Sequence, residues 1–173
     1  MDAYVFAGSA TTSAISTLLA SVSPSGPARV VCPLSGDRAV YVAIEAADQS
    51  TLQQRINAVT STSGLSNVTS HVVSAGQIDS LAFPTHALVQ AFVGFAMLSP
   101  NSSATASLVA NAVSEVEGVC GLAIVGTKVL VEVTASTSGG VEAILGAAAE
   151  ANNHIVEFTA IGDTGDGAGF PTS

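Results

Sequence analysis

The stretch Leu34-Ser-Gly-Asp-Arg-Ala-Val-Tyr-Val-Ala-Ile-Glu45 is answered later in the chain by Ile124-Val-Gly-Thr-Lys-Val-Leu-Val-Glu-Val133. In each, a turn glycine (Gly36, Gly126) is followed two residues later by a cation (Arg38, Lys128) and then by an apolar strand. Glycine reaches positive φ at no steric cost, so it suits a tight hairpin between two strands. Outward from these turns, short apolar runs read as strands, and apolar residues spaced by three and four read as helices. The first half then runs as strand Tyr4 to Ala7, a helix from Thr11 to Val22 with Ala14, Ile15, Leu18, Leu19 and Val22 on one face, and the breaker Ser23-Pro-Ser-Gly-Pro27. Strands Arg29 to Leu34 and Ala39 to Ala46 follow, then a helix opened by Asp48 and striped by Leu52, Ile56 and Val59, then strand Val68 to Ser74. The second half repeats the order: strand Leu88 to Met97, a helix from Ser103 with Leu108, Val109, Ala112, Val113 and Val116 inward, and strands Val119 to Val125 and Lys128 to Ala135. A helix carrying Val141, Ile144, Leu145 and Ala148 and a strand Ile155 to Ile161 close it.

Each half therefore reads βαββαβ, an order that folds as a four-stranded antiparallel sheet with two helices on one face, the ferredoxin-like arrangement. A sheet whose other face met water would alternate apolar with polar residues. Val129-Leu-Val-Glu-Val133 and Ala39-Val-Tyr-Val-Ala-Ile44 are apolar almost throughout, so both faces are covered. The nearest cover is the tethered other half. The expected fold is α+β: two ferredoxin-like βαββαβ repeats forming a single-chain pseudo-dimeric α+β barrel. The expected organisation is a first repeat over 1–76, a connector over 77–87, a second repeat over 88–162 and a flexible C-terminal tail over 163–173.

Glu117-Gly-Val-Cys-Gly-Leu-Ala-Ile-Val-Gly126, followed by Thr-Lys-Val-Leu-Val-Glu-Val133, resembles the effector-binding module of the leucine-responsive (Lrp/AsnC) regulators. Leu34 to Ile44 is similar, so the whole chain looks like a tandem duplication of that module. No helix-turn-helix precedes either unit. The resemblance implies a dimeric α+β barrel that takes a small amino-acid-like effector, without the DNA-binding domain.

The 173 residues include four Lys and Arg against a net charge of −9, with 48% hydrophobic and 10% charged residues. Nucleic acid and anionic membranes draw protein binding from clustered cations, so neither is an expected partner. No apolar run approaches the roughly 20 residues of a spanning helix, and the start has no basic segment ahead of an apolar one; a cytoplasmic protein is expected. The low charge on helices rich in Ala, Ser and Thr points to a homo-oligomer of pseudo-dimers. Cys32 and Cys120 form no CxxC and no Cys/His cluster, and read as structural thiols, with no metal and no cofactor expected.

Polar residues on the strands of such a barrel mark its pocket. Tyr41, His71, Glu132 and Glu157 are the candidates for a ligand site, with Arg38 and Lys128 as two cations able to grip a carboxylate. No catalytic residue is expected, since no nucleophile elbow, HExxH or phosphate loop is present. The function expected is a non-catalytic small-molecule-binding or regulatory module for a small anionic or amino-acid-like ligand. The alternatives are a cofactor-independent or haem-type α+β barrel enzyme of the monooxygenase kind, and a structural or assembly protein.

Overall fold

The computed structural model describes residues 1–74, 81–150 and 154–171. The expected repeat boundary at 76, the start of the connector at 77 and the last two residues of the tail lie outside them. The chain runs β1 (Asp2–Ala10), α1 (Thr12–Ala20), β2 (Val30–Pro33), β3 (Ser35–Gly36), β4 (Val40–Glu45), α2 (Gln49–Thr60) and β5 (Leu65–Val72). It continues through β6 (Phe92–Pro100), α3 (Ala106–Ser114), β7 (Val119–Val125), β8 (Lys128–Ala135), α4 (Ser138–Glu150) and β9 (His154–Asp163). The class is α+β. One antiparallel sheet has the order β2-β4-β1-β5 and the other β3-β9-β6-β8-β7.

Side-chain oxygens start the helices. Thr11 accepts from Ala14 N, Asp48 from Thr51 N and Thr105 from Leu108 N, each satisfying a main-chain donor that the helix leaves free. Leu18 of α1 and Leu52, Ile56 and Val59 of α2 pack on Val5, Val40, Val42 and Ile44 of the first sheet. Val109 and Val113 of α3 and Val141 and Leu145 of α4 pack on Leu98, Val129, Val131 and Val133 of the second. Gly94 on β6 lets α4 approach, since a Cβ there would come within 2.4 Å of Val141 Cγ1. The third helix begins later than Ser103, and Leu108, expected to point inward, is exposed. A nine-residue helix fits only a narrow stripe against the sheet, and Val109 and Ala110 occupy it.

The remaining faces of the two sheets meet each other. Tyr4, Phe6, Cys32, Tyr41 and Ala43 from the first half pack with Val93, Phe95, Met97, Leu130 and Phe158 from the second. Main-chain bonds also join the sheets along both lateral edges. On one side the chain leaving β2 enters the other sheet as β3, pairing Ser35 with Ile161 and Gly36 with Ala160, and Asp37 N donates to Thr159 O at 3.0 Å. On the other, Val73 bridges to Val125 and Ser74 N donates to Ile124 O at 2.9 Å. The segment after β9, expected as a flexible tail, is tied down as well. Ala168 exchanges main-chain bonds with Val31 at 2.8 and 3.0 Å, and Phe170 packs on the core between the sheets.

The two hairpins differ in length. Pairing of β7 with β8 runs to Val125 and Lys128, leaving Gly126 and Thr127 as the turn, whereas Leu34 N closes on Ala39 O. Arg38 therefore sits inside the longer loop, while Lys128 opens a strand. The sequence echo that set Arg38 on Lys128 is out of step, because Ser35 and Gly36 were recruited to pair with β9.

Candidate functional site

The six candidate residues fall into two groups. Tyr41 and Glu132 lie in the core between the sheets, both at 0% exposure. Arg38, His71, Lys128 and Glu157 gather at the rim, contributed by the first hairpin, β5, the start of β8 and β9.

At the rim, register explains the meeting. Met97 pairs with Phe158 but Leu98 with Val156, so Glu157 is an extra residue on β9, a bulge of the kind that re-aims a side chain. Its carboxylate takes the Lys128 ammonium at 2.8 Å. The next ring, Phe158, carries the Arg38 guanidinium 4.1 Å above its centroid, a cation–π contact. Arg38 Nη1 donates to Asp37 O at 2.8 Å, and its Nε is buried without a hydrogen-bond partner. His71 stands edge-on to Phe6 at 6.4 Å, and Phe6 in turn touches Phe158 at 4.8 Å. Burial, then the positive charge of Lys128, holds the His71 imidazole below its ordinary pKa; Glu157 pulls the other way and Arg38 adds to the fall. Two cations, a histidine held toward its neutral form and one carboxylate thus face one another on an aromatic floor.

The inner group is different in kind. Burial pushes the Glu132 carboxyl well above the usual carboxylate range, the Cys120 thiol opposing it as a donor to Oε1 at 3.5 Å. Glu132 Oε2 and Tyr41 Oη have no hydrogen-bond partner. Cys120 is itself the extra residue of a bulge, since Val119 pairs with Val133 and Gly121 with Glu132. The Tyr41 ring stacks on Phe95 at 4.0 Å and Phe6 stands 5.2 Å away, between Tyr41 and His71. Packing of this kind encloses Glu132 rather than presenting it to a substrate.

Sequence reasoning missed the partners that are not on regular strand positions. Cys120 was read as structural without its carboxyl partner. Thr85, 4% exposed in the connector, donates to Tyr4 Oη at 3.3 Å and was not singled out. Asp2, Glu45 and His86 bring their ligand atoms within 4.8 Å of one another, which no spacing along the chain announces. Both thiols are free; burial pushes Cys32 up to about 12 and raises Cys120 further, so neither is a ready nucleophile at neutral pH. Among the described residues no helix is long and apolar enough to cross a membrane. No family model, curated protein or solved structure matches the chain.

Proposed function

We propose that this chain is a tandem pair of ferredoxin-like βαββαβ repeats closed into a single-chain pseudo-dimeric α+β barrel, serving as a non-catalytic binding or regulatory module for a small carboxylate-bearing ligand. The duplication reading is supported by strand order. In chain order within each half, both sheets place the fourth strand beside the first, the first beside the third and the third beside the second. It is supported too by the cross-strand rows Cys32, Tyr41, Phe6, Thr69 in one sheet and Ala123, Leu130, Met97, Phe158 in the other, which occupy matching places.

One observation carries the binding reading. Of the four Lys and Arg in the chain, two converge with His71 at the rim, one from each half. A ligand carboxylate replaces Glu157 on Lys128 and meets the Arg38 guanidinium, a charge-assisted contact stronger than a neutral one. A concavity of about 370 Å³ beside Gly126 and Thr127 has no charged lining and no such pull.

Calorimetric titration with a panel of free amino acids and short-chain carboxylates tests it. Arg38→Gln and Lys128→Gln should each weaken binding at least tenfold, the two charges being the anchor. Glu157→Gln divides the ligand classes: affinity rises for a simple anion, which competes with that carboxylate, and falls for an amino acid, whose ammonium it holds. Wild-type binding that survives loss of both cations unchanged refutes the site.

A further inference from the structure

We propose that Asp2, Glu45 and His86 form a site for a divalent transition-metal ion of borderline softness, Zn²⁺ being the natural probe. The three residues come from different parts of the chain and are brought together by pairing. Asp2 opens β1, Glu45 ends β4, and the two are direct cross-strand partners. His86 arrives on the connector, next to Thr85, whose hydroxyl is anchored on Tyr4 Oη.

Two carboxylates directly opposite across an antiparallel pair repel each other unless a cation sits between them. Here the compensation from protein groups is incomplete. Asp2 is only 9% exposed and its Oδ1 has no hydrogen-bond partner. Glu45 Oε2 has none either; Arg29 Nε at 3.7 Å and His86 Nε2 at 3.8 Å approach it at ion-pair range only. Burial raises the Asp2 carboxyl, with the Met1 ammonium and His86 opposing that rise and Glu45 reinforcing it. A buried carboxylate with an unpaired oxygen, beside a second carboxylate and an imidazole, is a set of donors lacking its acceptor of electron pairs.

The geometry suits an ion. Zn²⁺ holds nitrogen and carboxylate oxygen at about 2.0–2.2 Å, so its ligand atoms lie no more than roughly 4.4 Å apart. The Glu45 to His86 separation of 3.8 Å is already inside that span, and all three atoms fall within 4.8 Å of one another. The His86 ring is half-exposed, so it is free of a packed surround that would hold it away from an ion. One imidazole with two carboxylates favours Zn²⁺ and its neighbours over Mg²⁺, which prefers oxygen alone. Glu45 also lines a depression of about 470 Å³, together with Met1, Arg29 and Arg55, so its carboxylate is reached from solvent. On binding, the ion takes over the place of Arg29 beside Glu45 and fastens the connector to the first sheet.

The test is titration of metal-free, full-length protein with Zn²⁺, followed by calorimetry and thermal melting, with Co²⁺ absorption as a report of the ligand set. One equivalent should bind and raise the melting temperature, because a ligand of the folded state alone stabilises it. Asp2→Asn and His86→Ala should each weaken binding at least tenfold, and Arg29→Gln, which removes the competing cation, should tighten it several-fold. Circular dichroism confirms that each variant is folded; the Arg29→Gln gain needs no damaged ligand and keeps the test decisive if another variant is not. Absence of one-equivalent binding at a hundred micromolar Zn²⁺, or binding lost with His71→Ala and kept with His86→Ala, overturns the proposal.

Discussion

At Glu132 an acid is enclosed where an ionised one is costly to keep, since an unpaired charge in an apolar interior loses its hydration. Its folded-state pKa is raised by burial, so its effect on stability is worked out from the neutral form. Below the ordinary carboxylate pKa both folded and unfolded chains hold the proton and nothing is lost. As pH climbs past that value the unfolded chain ionises first, and stability falls by up to about 1.4 kcal/mol per pH unit until the folded pKa is reached. His71 acts from the other side. Its pKa is lowered, so its contribution is present above the ordinary imidazole value and fades as pH drops through the folded one. Denaturant melts across pH 4 to 9 should therefore show Glu132→Gln flattening the decline above the ordinary carboxylate pKa, with the variant gaining on wild type as pH rises; a parallel profile refutes the assignment. Tyr41 and Glu132 could be read from the sequence because a polar residue in an otherwise apolar strand stands out. Their surroundings could not, because Cys120 reaches Glu132 through a bulge, and a bulge leaves no periodic trace.

At the level of single elements, the close contact of α4 with β6 depends on a missing side chain. A Cβ on Gly94 would meet Val141 Cγ1 at 2.4 Å, Leu145 Cδ1 at 3.0 Å and Val133 Cγ2 at 3.1 Å, with branched side chains from helix and sheet on every side. Gly94→Ala should destabilise the protein by about 1–3 kcal/mol, the usual cost of overpacking a filled core. A neutral result in equilibrium unfolding would mean that α4 can slide away at little cost. Helices and strands were legible wherever capping and apolar spacing agreed: Asp48 with Leu52, Ile56 and Val59 marks α2 in sequence and structure alike. Agreement failed where tertiary demands intervened. β6 begins at Phe92 rather than Leu88, whose side chain is exposed, and the first hairpin gave up Ser35 and Gly36 to the neighbouring sheet.

Across the whole molecule, the polar cluster at the rim was legible only as a list of residues. What gathers them is a pair of long-range registers and a bulge on β9, and only the folded arrangement fixes which members meet and which, like Tyr41 and Glu132, are walled off by the aromatic core. Both lateral edges that join the sheets carry main-chain pairing: Ser35, Gly36 and Asp37 meet β9 on one, while on the other Val73 bridges to Val125, Ser74 bonds Ile124 and Ala82 bridges to Gly121. Once these edges part, each half displays strand borders whose complements exist in every copy of the chain, so the contacts made within one molecule can be remade between two. The tether then decides the outcome, because linked halves meet at an effective concentration set by the length of the link. Refolding at high protein concentration should thus yield closed dimers of exchanged halves that dilution converts back only through unfolding, and removing residues between His86 and Gln90 should raise their share on size-exclusion chromatography. Complementary edges in every copy give this chain a route to partner exchange, and the connector length is its brake.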